Sequence, residues 1–132
     1  MTIFVDASAL VAILQDEPEA QSLSAVLDRH KPRFTSAIAM WETARAIAKA
    51  DKRDLADAWQ ICERFRLEVD ISIIPIGEVE AAEAVRAHAR YGKGTAHPPR
   101  LNMGDCFAYA CAKTNGAKLL YKGDDFIHTD LK

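Results

Sequence analysis

Thr2-Ile3-Phe4-Val5-Asp6-Ala7-Ser8-Ala9-Leu10 is the stretch on which the fold turns. Thr2 to Val5 is a short β-prone run that meets an aspartate, and Ala9 to Leu14 then reads as a buried helix. A short apolar run with turn-like residues after it predicts a buried strand. Strands buried on both faces belong to parallel sheets covered by helices. The question is therefore whether the strand–helix alternation recurs.

It recurs along the whole chain. Glu17-Pro18 predicts a second helix, because proline suits a first turn, and Ala20, Leu23, Val26 and Leu27 form its apolar stripe. Arg33-Phe34-Thr35 reads as a second strand, with Ser36 as N-cap of a long helix through about Ala50. Asp54 is expected to cap the next helix, which carries Leu55, Trp59, Cys62 and Phe65. Ile71 to Ile76 predicts a third strand, stopped by Pro75 and Gly77, and Glu78 to Tyr91 an alanine-rich helix. Gly92 to Arg100 is a loop of glycine, proline and lysine. Asn102 starts a further helix to about Asn115, with Gly116 as its stop. Lys118 to Tyr121 is the fourth strand, and the polar tail from Gly123 to Lys132 is expected to be partly extended. The pattern predicts an α/β fold, a three-layer α/β/α sandwich around a central, mainly parallel sheet. A length of 132 residues suits a single domain, 1–132, with a core large enough to need no disulfide.

Composition narrows the function classes. Seventeen basic against nineteen acidic residues leave a net charge of −2, so any nucleic-acid contact must rely on local positive charge. Cys62, Cys106 and Cys111 form no CxxC pair and no zinc spacing. Reduced core thiols in a cytoplasmic protein are the expectation. Met1 to Asp6 has no basic leader, which argues against a signal peptide. No apolar run approaches the ~20 residues of a membrane span.

In a parallel sheet, functional groups gather beyond the carboxyl ends of the strands. Asp6 follows the first strand, Glu42 lies in the helix after the second, Asp105 lies in the first turn of the helix begun by Asn102, and Asp124 and Asp125 follow the last strand. Close carboxylates raise one another's pKa, and a divalent cation removes that cost. Mg²⁺ prefers oxygen ligands and keeps several waters. Two such ions ~4 Å apart serve phosphodiester hydrolysis.

Each acid also has an ordinary role open to it. Asp6 fits a helix cap, and Glu42 is spaced to pair with Arg45 on a helix surface. Asp105 fits a capping box with Asn102, and Asp124-Asp125 fits a turn. Their joint placement carries the metal-site expectation. Arg45, Lys49, Lys52, Arg53, Lys93 and Arg100 are candidate phosphate contacts, with a solvated face as the alternative. His30, His88, His97 and His128 are expected to be surface residues. Gly92-Lys93-Gly94-Thr95 lacks the earlier glycine of a P-loop.

The quoted residues resemble a known family. Ile3 to Leu10, with Asp6-Ala7-Ser8, is similar to the opening of PIN domains, and Ser36 to Glu42 resembles their second motif. Tyr91-Gly92-Lys93-Gly94, Leu101 to Tyr109 and Leu119 to Phe126 resemble VapC-type toxins. The resemblance spans nearly the whole chain, and Asn102-Met103-Gly104-Asp105-Cys106-Phe107 is its most specific part. It implies metal-site acids at Asp6, Glu42 and Asp105, with Asp124 favoured as the fourth and Asp125-Phe126 as a structural pair. The family's fourth acid or asparagine often stands slightly earlier, where this chain has Lys122 and Gly123. Ser8 and Asn102 would support the site. The resemblance further implies Mg²⁺- or Mn²⁺-dependent endoribonuclease activity on RNA, with a tRNA or rRNA loop as a plausible target. It implies a toxin–antitoxin role, a VapB-type antitoxin partner and a homodimer. Two rivals are a phosphoacceptor receiver domain and a catalytically silent protein-binding module. The first lacks an aspartate at the end of the third strand, and the second would be expected to have lost some of the acids.

Overall fold

A computed structural model describes residues 1–94 and 100–131. The strands are β1 (Ile3–Val5), β2 (Arg33–Ser36), β3 (Ile71–Ile74) and β4 (Lys118–Leu120). The helices are α1 (Ala7–Leu14), α2 (Ala20–Asp28), α3 (Ala37–Asp51), α4 (Leu55–Glu68), α5 (Glu78–Tyr91) and α6 (Met103–Thr114).

The strands form one sheet in the order β3-β2-β1-β4, and every pairing is parallel. Successive side chains of a strand point to opposite faces, and β1 shows the result. Ile3 and Val5 join a core built with α1, α2, α3 and α4, while Phe4 joins a second core with α5 and α6. Leu120 and Leu119 divide the same way on β4. The three-layer expectation is met, and all β1 side chains are fully buried.

The chain builds outward from β1 to β2 and β3, then returns to place β4 on the other side of β1. That reversal is a topological switch point, where parallel sheets open a crevice at their carboxyl edge. Asp6 stands at this edge, and its amide donates to the Leu120 carbonyl at 2.9 Å. On the neighbouring strand, Thr35 Oγ1 donates to the Val5 carbonyl at 2.9 Å.

Several boundaries differ from the sequence reading. α1 begins at Ala7 rather than Ala9, because Asp6 itself is the N-cap. α2 begins at Ala20 rather than Pro18, because the Ala20 amide closes a turn onto the Glu17 carbonyl at 2.9 Å. Asp54 occupies the N-cap of α4 without a side-chain cap bond. β3 ends at Ile74, since Pro75 has no amide to continue the ladder. β4 ends at Leu120, one residue short of Tyr121. The tail after Gly123 forms turns rather than extended chain, anchored by buried Phe126 and Thr129. Of the expected loop from Gly92 to Arg100, residues 95–99, including His97, lie outside the described residues.

Candidate metal centre

Asp6 is 4% exposed, an unusual position for a carboxylate. Its Oδ2 accepts from the Ser8 amide at 3.0 Å and from Ser8 Oγ at 2.5 Å. The capping role and a place in the crevice are therefore compatible. Burial pushes the Asp6 carboxyl above its ordinary pKa, against the Ser8 and Ala7 hydrogen bonds, and the charge of Asp125 adds to the rise.

Asp105 is set by a reciprocal cap. Its amide donates to Asn102 Oδ1 at 2.8 Å, and its Oδ2 accepts from the Asn102 amide at 3.1 Å. Burial pushes its carboxyl up to about 7, and the charges of Asp125, Asp6 and Glu42 add to the effect. Asn102 and Asp105 thus hold each other at the start of α6.

Glu42 is half-buried on α3. It forms no ion pair with Arg45, so the surface-pair alternative is not what the structure contains. Its carboxylate lies instead against Gly104, where a Cβ would collide with it. Burial raises the Glu42 pKa, and the charge of Asp6 raises it further. Asp6, Glu42 and Asp105, from three separate elements, therefore face one another electrostatically at the carboxyl edge of the sheet.

Alongside Asp124, the acid that the sequence favours as fourth, Asp125 acts on this set. The charge that acts on Asp6 and Asp105 is that of Asp125. Burial raises the pKa of Tyr121, and the charge of Asp124 raises it further. Phe126 is buried against Tyr121, with ring centroids 5.1 Å apart, and this fixes the turn that carries Asp125.

Among the described residues, none of these acids forms an ion pair, and no three His, Cys, Asp or Glu side chains are gathered into a ready-made metal cage. The donor set nevertheless fits a hard divalent cation. It is all carboxylate, its like charges are uncompensated, and Gly104 leaves the Glu42 carboxylate room beside Asp105.

Gly104 is the position that reading by residue type left without a role, and it gives the Glu42 carboxylate its space. Its signal was a glycine in the first turn of a helix, where helix propensity disfavours it. The candidate cations lie on α3, in the turn after it and beside the segment before α6. Arg45 and Lys49 are exposed on α3, and neither they nor Lys52 form an ion pair among the described residues, whereas Arg53 lies 3.7 Å from Asp51. Lys93 and Arg100 flank the undescribed stretch before α6. His30 is partly buried and its Nδ1 lies 2.7 Å from the Val26 carbonyl, so it is a structural residue rather than a free surface one. The three cysteines are buried and unpaired. No described helix is long and apolar enough to cross a membrane.

Comparison with known proteins agrees with this architecture. Residues 3–132 match the family model described as PIN domain. A VapC ribonuclease of Rhizobium meliloti is 40% identical, with 97% of this chain and 98% of that protein covered. Ribonuclease VapC30 of Mycobacterium tuberculosis is also 40% identical, covering 96% of this chain and 94% of the relative. The chain belongs to the PIN-domain family, among its VapC members. The crystal structure of Mycobacterium tuberculosis VapC20, a sarcin-ricin loop cleaving toxin, shares the fold with a TM-score of 0.73 at 17% identity. That alignment covers 98% of this chain and 96% of VapC20.

Proposed function

We propose that this chain is a Mg²⁺- or Mn²⁺-dependent endoribonuclease and the toxin of a VapBC-type pair. The observation that supports this most directly is the meeting of Asp6, Glu42 and Asp105 without a basic partner. Groups so arranged favour either protons or a divalent cation at neutral pH. The relatives named as VapC ribonucleases support RNA as the substrate.

In this reading Asp6 and Asp105 hold the cation, and Glu42 and Asp125 complete the site directly or through water. Asp124 is the alternative fourth acid. When bound, the cation supplies water activation near neutral pH and charge stabilisation on the phosphodiester. The protein's part is placement. Ser8 fixes the rotamer of Asp6, Asn102 fixes Asp105, and Gly104 admits Glu42. Arg45, Lys49, Lys93 and Arg100 are proposed to hold RNA phosphates. A VapB-type antitoxin, a homodimer and cytoplasmic action belong to the same proposal.

The test is digestion of RNA by the parent chain and by Asp105→Asn, with Mg²⁺ or with EDTA. Cutting by the parent in Mg²⁺ alone, lost in the variant, is the expected result. Equal cutting in every sample would assign the activity to a contaminant and overturn the proposal.

A further inference from the structure

Lys122 follows β4, at the end of the sheet that carries Asp6. Its backbone amide donates to Ser8 Oγ at 3.0 Å, and that hydroxyl donates to Asp6 Oδ2 at 2.5 Å. Only two hydrogen bonds separate the lysine backbone from the buried carboxylate. A flexible four-carbon stem with a compact charge spans such a gap readily. The ammonium nonetheless turns elsewhere. It pairs directly with Glu17 and lies 3.6 Å from Glu19, both in the turn between α1 and α2.

This arrangement has little value as a stabilising device. Its side chains are between 27% and 43% exposed, and ion pairs so placed contribute little to stability. Its position has more consequence. The neighbouring acids lack any basic partner among the described residues, so they attract whatever cation is near. A tethered ammonium is always near, and it would compete with a divalent ion for the same oxygens.

We infer that Glu17 and Glu19 are positioning residues that hold the Lys122 ammonium out of the acidic pocket and keep that pocket open to a divalent cation. The inference rests on reading the pocket as a divalent-cation site. Removing the two holding charges frees the lysine to serve as an internal counter-ion. Removing the lysine as well restores an open pocket.

Mn²⁺ titration of the full chain at neutral pH, followed by electron paramagnetic resonance, tests this without measuring activity. The Glu17→Gln/Glu19→Gln variant should bind Mn²⁺ about tenfold more weakly than the parent. Adding Lys122→Met to that background should return the affinity to the parent value. Lys122→Met alone should change it by less than about twofold. Structural loosening through the lost ion pair would persist in the triple variant, which lacks the pair too, so rescue separates the two causes. Parent-like binding by the double variant, or absence of rescue in the triple variant, overturns the inference and leaves the metal site standing. Absence of Mn²⁺ binding by the parent removes the metal site and the inference with it.

Discussion

At the scale of single residues, Gly104 and Glu42 give the sharpest separation of stability from activity. Alanine is the better helix former by about 1 kcal/mol, yet a Cβ at Gly104 would strike the Glu42 carboxylate. The struck group is the end of a flexible side chain, so the backbone need not move. Gly104→Ala should keep or slightly raise the melting temperature while RNA cleavage falls by roughly 10- to 100-fold. Paired melting and cleavage assays check this, and unchanged cleavage would show that Glu42 needs no particular seat. Asp105→Asn keeps an oxygen to accept from the Asn102 amide, so the cap should survive. Cleavage should drop by about 100-fold or more, beyond the usual effect of losing a supporting partner. At this scale the sequence was readable for Asp6 and Asp105, whose flanking apolar runs marked them as inward-facing. Asp124 is favoured over Asp125 in the sequence only through the likeness of Asp125-Phe126 to a structural pair, because adjacent tail residues differ only in which way a turn points them. Burial of Phe126 decides that direction, and no local pattern reports it.

At the scale of elements, α6 carries the most chemistry per turn. Its first turn holds the reciprocal cap between Asn102 and Asp105, so the same hydrogen bonds start the helix and aim the acid. Asn102→Ala should cost about 1 kcal/mol of stability and also weaken Mn²⁺ binding. Chemical denaturation together with Mn²⁺ titration checks both, and a stability loss with unchanged metal affinity would reduce Asn102 to a helix start alone. The cap was legible in sequence because its three-residue spacing is a local rule. The start of α2 was not, because Pro18 suits a turn as well as a first helical position, and the hydrogen bond to Glu17 selects the turn. The end of β3 was similarly open, since Ile76 continues the apolar pattern while Pro75 breaks the ladder.

At the scale of the whole molecule, the clustered acids set a pH dependence. Asp105 in the folded chain has a pKa of about 7, above its unfolded value of roughly 3.9. A carboxyl raised on folding means that the folded state binds more protons, so stability falls as pH rises. The favourable contribution is fully present below the unfolded value and is lost as pH rises through about 7. Asp6 and Glu42 shift in the same direction. In EDTA the protein should melt at a higher temperature at mildly acidic than at mildly alkaline pH. Saturating Mg²⁺ should shrink the difference, and so should Asp105→Asn. A melting temperature that rises toward alkaline pH in EDTA would contradict the described burial of these acids. The layered fold was readable in sequence because strand–helix alternation is periodic. Convergence of the acids was readable only through the fold, since carboxyl edges of parallel strands meet wherever the strands pair. The order of assembly follows from that pairing. β1 finds one of its two neighbours only when β4, from the far end of the chain, joins it, and Asp125 comes later still. A nascent chain still on the ribosome therefore carries Asp6 without its opposing wall. A chain cut before β4 would therefore lack both the second neighbour of β1 and the turn that brings Asp125 beside Asp6.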